Sequence, residues 1–207
     1  MVNKTLNMKF KYKQQKEIER GLELGLDTSL YAKPEFDYLQ MCSIRTGLMQ
    51  DLDVSYYADL KYSHQQMEQI RIGLKYGVQV NHYLDERYTW KQMREIRKGL
   101  ESNVDITLYN NVNMEHRKMQ EIRLGLEQGL DINLYANKGF DGLQMTQIRK
   151  GLLSKVDISK FAKNYFKASQ MREIRVGLEA GINILPYVTI SMPAEEMEKI
   201  RNSLLRS

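Results

Sequence analysis

One hydrophobic motif recurs along the chain at a fixed interval. Its isoleucine stands at Ile18, Ile44, Ile70, Ile96, Ile122, Ile148, Ile174 and Ile200, every interval being 26 residues. A leucine follows four residues later in all eight copies, from Leu22 to Leu204. From the second copy a methionine precedes by three, from Met41 to Met197. Spacings of three and four place Met, Ile and Leu on one stripe of an α-helix. The pattern predicts one amphipathic helix per 26 residues, and a repeat of that length signals a stacked array.

Polar punctuation marks the ends of each predicted helix. Asp37, Ser63, Thr89 and Asp141 stand seven residues before the isoleucine, with Gln40, Gln66, Gln92 and Gln144 three further on. That is capping-box spacing. Phe36, Tyr62, Tyr88, Met114, Phe140, Phe166 and Met192 precede the caps and form a hydrophobic staple with the methionine five residues on. Gly25, Gly77, Asn103, Gly129 and Gly181 mark left-handed helix stops, so each helix spans about 13 residues. After the stop come "LDTSLYA", "VDITLYN", "LDINLYA" and "VDISKFA", whose apolar positions (Leu130, Ile132 and Tyr135 in the fifth unit) suit a second, short helix. The expected fold is all-α: a right- or left-handed α-solenoid of eight 26-residue units, each long helix, tight turn and short helix, the last truncated. Residues 1–207 are expected to form a single domain, with 1–9 an N-terminal cap or tail and 196–207 a C-terminal capping helix.

Two columns break ordinary helix preference. Glycine recurs three residues after the isoleucine in units one to seven, at roughly 1 kcal/mol each against alanine. Close approach of the adjacent unit is the expected benefit. Arginine follows the isoleucine at Arg45, Arg71, Arg97, Arg123, Arg149, Arg175 and Arg201, whereas the first unit has Glu19. Nine residues after the isoleucine stand Asp27, Asp53, Gln79, Asp105, Asp131, Asp157 and Asn183. The acidic series fills units one to seven and the arginine series units two to eight. An inter-unit clamp is therefore expected, each arginine fork gripping the acceptor of the unit before.

Composition adds little chemistry. Hydrophobic content of 42% and charged content of 28% fit a soluble folded chain, and no apolar run is long enough for a membrane span. One cysteine, Cys42, and no signal-like apolar start predict a cytoplasmic protein. His64, His82 and His116 show no metal-ligand spacing. No catalytic, cofactor or metal motif is legible, so no enzyme, no cofactor and no small-molecule substrate are expected. The net charge of +5 invites a nucleic-acid reading, which the clamp would weaken by occupying the arginines.

The position opening each helix reads Tyr12, Tyr38, His64, Trp90 and His116, then Gly142, Ala168 and Ala194. With Arg94 beside Trp90, the rings Tyr38, His64, Trp90 and His116 form the candidate partner-binding rim. The consensus QMxxIRxGLExGxDxxxYA over residues 10–207 resembles 26-residue helical repeats of uncharacterised chains from gut bacteria, their phages and other mobile elements. The resemblance implies a helical-repeat fold without an assigned activity. Its origin suggests an inhibitor of a bacterial defence effector, of the anti-CRISPR kind, working in the host cytoplasm if phage-encoded. The expected function is a non-catalytic, protein-binding scaffold. The alternative is nucleic-acid binding along a basic, aromatic-studded face.

Overall fold

A computed structural model describes residues 9–136 and 138–206, with eight α-helices and no strand among them. Helices α1 (Tyr12–Glu23), α2 (Tyr38–Leu48), α3 (His64–Lys75) and α4 (Trp90–Glu101) form one compact unit. Helices α5 (His116–Glu127), α6 (Gly142–Leu153), α7 (Ala168–Glu179) and α8 (Ala194–Leu204) form a second, the division falling between Asn103 and Val104. Within each unit consecutive helices pack against one another as an α-solenoid stack. The expected C-terminal capping helix corresponds to α8. Most of the expected N-terminal cap, residues 1–8, lies outside the described residues, as do Asn137 and Ser207.

The expected short helix is a single 3-10 turn, such as Thr28–Leu30, Val54–Tyr56 or Ile132–Leu134. Asp27 Oδ1 accepts from the Ser29 backbone N–H at 3.0 Å, and Asp53, Asp105, Asp131 and Asp157 repeat the bond two residues on. This side-chain turn opens the 3-10 segment. Four residues after the aspartate, or after Gln79 in the third repeat, the chain delivers Tyr31, Tyr57, Tyr83, Tyr109, Tyr135 or Phe161 into the core; all but Tyr83, which is the last residue of Val80–Tyr83, directly follow the 3-10 turn.

The core is lined by the methionine and isoleucine columns, but the leucines stand aside. Leu22 is 53% exposed and the later ones are half-buried. Glycine takes the inward place, and its role differs from the one expected. A Cβ on Gly47 would stand 1.8 Å from Tyr57 Oη, and one on Gly125 would stand 2.0 Å from Tyr135 Oη. The glycine therefore admits the tyrosine of its own unit, not the neighbouring unit. Tyr31 Oη and Tyr135 Oη donate to the Glu17 and Glu121 carbonyls at 3.1 Å.

The junctions between units are closed by glutamine. Gln66 Oε1 accepts the backbone N–H of Ser63 at 2.8 Å, completing the cap of its own helix. Its amide then donates onward to the carbonyls of Tyr88, at 2.7 Å, and Glu86, at 2.9 Å. Gln14, Gln144 and Gln170 make the same pair of onward bonds, and Gln40 makes one, to the Tyr62 carbonyl. These amides are buried, and no buried side-chain nitrogen or oxygen among the described residues lacks a partner.

The arginines reach back to the unit before, but not to the expected aspartates. Arg45 Nε donates to Glu17 at 2.9 Å, Arg149 Nε to Glu121 at 2.6 Å and Arg201 Nε to Glu173 at 3.1 Å. Arg97 and Arg175 donate to Gln69 and Gln147 in the same relation, both at 3.2 Å. Arg71 meets the shorter Ser43 in that column and turns to Gln50 at 3.0 Å; Arg123 also bonds Glu127 in its own helix at 2.7 Å. Asp27, Asp53, Asp105, Asp131 and Asp157 are exposed and committed to their own turns. The acceptor column lies one residue before the isoleucine, on the helix face turned toward the next unit.

Candidate binding site at the helix starts

The arginine Nε bonds to the preceding repeat all span 28 residues, and the long glutamine bonds span 22. One geometric relation therefore recurs within each unit, so its helices run in one direction and their first turns line one edge. In the first unit that edge carries Tyr12, Tyr38, His64 and Trp90. Tyr12 is 72% exposed and the other three are half-buried. None belongs to the Met–Ile–Gly stripe that builds the core.

Cations lie against these rings. Lys13 Nζ of α1 stands 4.4 Å from the ring centre of Tyr38 on α2. Lys91 Nζ and the Arg94 guanidinium lie 5.7 and 5.5 Å from Trp90. Arg94 also bonds Glu95 at 2.9 Å, and Lys16 bonds Glu19 at 2.8 Å. The cations are thus occupied by rings and carboxylates, and the edge offers aromatic faces and alkyl stems more than free charge. Two open grooves flank the Tyr12–Tyr38 pair. One, of about 500 Å³, runs past Pro34 and Phe36; the other, of about 480 Å³, runs past Lys16 and Arg20.

The structure brings Tyr38, His64, Trp90 and Arg94 of the expected rim onto this edge. His116 opens α5 in the second unit at the equivalent repeat position and is half-buried. The change from rings to small residues has a packing reason at Gly142: a Cβ there would lie 2.4 Å from the Arg117 side chain. Arg117 covers this position from the preceding helix, as Lys13 covers Tyr38. Lys13 and Lys91 did not stand out in the sequence; their one signal is that each directly follows a ring. Among the described residues no group of three or more His, Cys, Asp or Glu side chains is placed to hold a metal ion. Cys42 is half-buried, 3.8 Å from Arg45.

Comparison of the chain with protein-family models, with curated proteins and with solved structures returned no match.

Proposed function

We propose that the chain is a non-catalytic scaffold that binds a protein partner along the helix-start edge of α1–α4. The observation that supports this reading is the row of four rings, with cations against Tyr12, Tyr38 and Trp90, which the stack does not need. Buried glutamines, arginine pairs and the Met–Ile column already hold the units together. Large amphipathic rings with arginine nearby, beside open grooves, are the residue types that dominate protein-binding energy. The narrower reading, an inhibitor of a bacterial defence effector of the anti-CRISPR kind, rests on the repeat resemblance alone. Nucleic acid is the second reading for this edge, and the pairing of its cations speaks against it.

Capture of a partner from nuclease-treated bacterial lysate tests the proposal. The intact chain is expected to retain one protein, and Trp90→Ala and Tyr38→Ala to weaken that capture at least about tenfold with melting unchanged. Undiminished capture by both variants would remove this edge as the contact surface.

A further inference from the structure

One internal stretch carries as much net charge as the whole chain. Residues 150–172 carry Lys150, Lys155, Lys160, Lys163, Lys167 and Arg172 against Asp157, so 6 − 1 = +5, the net charge of all 207 residues. The remainder sums to zero. The corresponding residues of the next unit, 176–198, hold Glu179, Glu195, Glu196 and Glu198 and no lysine or arginine. All six cations are exposed, and Asp157 is engaged by Ser159 in its own turn.

Three of these lysines stand where the repeat prefers something else. Lys155 holds a left-handed backbone at φ 56°, a position glycine fills at Gly25, Gly77, Gly129 and Gly181. Lys167 replaces the capping Asp37, Ser63, Thr89 or Asp141, and α7 has no side-chain cap. Lys160 replaces the apolar Leu30, Leu108 or Leu134 of the 3-10 turn. The departures at Lys155 and Lys167 go against local stability, the one at Lys160 replaces a leucine that is half-buried or exposed in other repeats, and all three go to lysine. Departures of this kind mark functional surface.

Five of the six cations are lysine, which is scarce in protein interfaces and suited as a mobile point charge to phosphate. Tyr165, 54% exposed, sits between Lys163 and Lys167 with its ring 4.8 Å from that of Phe166. It borders a shallow groove of about 410 Å³ that reaches Leu143 and Lys167. We infer that residues 150–172 bind single-stranded nucleic acid, the lysines meeting backbone phosphates and Tyr165 stacking on a base. These residues belong to the second compact unit, and the inference does not depend on the function proposed for the ring edge of α1–α4.

Fluorescence anisotropy of the full chain with a labelled oligothymidine, across a salt series, tests the inference. Binding should weaken with salt at a log–log slope near −3.5, from roughly five contacts at about 0.7 each. The double variant Lys163→Asp, Lys167→Asp should lose at least about tenfold in affinity with a shallower slope. Its melting temperature should hold or rise, because aspartate already fills these columns at Asp59, Asp85, Asp37 and Asp141. A charge-matched pair in the first compact unit, Lys33→Asp with Lys75→Glu, should bind within about twofold of the parent, and Tyr165→Ala should weaken binding about fivefold or more. Absence of salt-sensitive binding, or equal loss in both double variants, overturns the assignment. So does a duplex of equal length that binds as tightly and ignores Tyr165→Ala.

Discussion

Lys155 and Asp51 hold left-handed backbone angles, φ 56° and 54°, at helix stops where other units place glycine. A lysine side chain lacks the short polar group with which Asn or Asp offsets that geometry, so Lys155→Gly is expected to raise unfolding free energy by about 1 kcal/mol. The check is a urea midpoint that rises with unchanged slope. At Gly47 the sign reverses: a methyl group would collide with Tyr57 Oη and stand 3.0 Å from Val54. Gly47→Ala should cost about 2–3 kcal/mol in the same measurement. The stops at Gly25, Gly77, Asn103, Gly129 and Gly181 were legible because their side chains favour the left-handed region; Asp51 and Lys155 were legible only by column. The aspartate assignment failed for a physical reason. Both the aspartates and the residues before the isoleucines, Glu17 to Glu173, occupy units one to seven, so an offset of one unit cannot separate them. The pattern Asp-x-Ser/Thr, as in Asp27–Ser29, was the available sign that the carboxylate closes its own turn.

At the scale of the element, each capping glutamine serves two units. Gln40→Leu would strip the Asp37 N–H and the Tyr62 carbonyl of their partners together. A loss of about 2–3 kcal/mol is expected, read as a lower melting temperature and denaturant midpoint. In α5 the column holds Lys118 instead. Lys118→Gln supplies the missing acceptor and donors and should gain about 1 kcal/mol by the same measurement. The capping half of this device was plain in the sequence, since donor and acceptor lie three residues apart. The onward half was not, because its acceptors are backbone carbonyls 20 and 22 residues away, placed only once the 3-10 turn has reversed the chain.

Across the molecule, the repeated tyrosines tie stability to alkaline pH. Burial pushes the phenols of Tyr31 and Tyr135 up to about 12, and raises those of Tyr57 and Tyr83 as well, from an ordinary value of 10.0. Each phenol stays neutral when folded but ionises near 10 when unfolded, so stability is intact below that pH and declines from about 10 toward 12. Circular dichroism melts over that range should show falling midpoints, with tyrosinate absorbance appearing alongside unfolding and not before it. The 26-residue period disclosed the helical stack at once, because insertions would have broken the register of every column. The partner stayed illegible, since the ring edge and the lysine stretch are departures from the repeat, and departures carry meaning only once the columns have been given their structural duties.

The glutamine carbonyl that receives the backbone N–H at Lys11, Asp37, Ser63, Thr89, Asp141 and Lys167 does so at 2.8 Å whichever side chain stands there. In these six helices the cap position keeps that bond whatever side chain it carries. A chain of this design can exchange its faceplates one at a time, acquiring new specificity without redrawing the frame behind them.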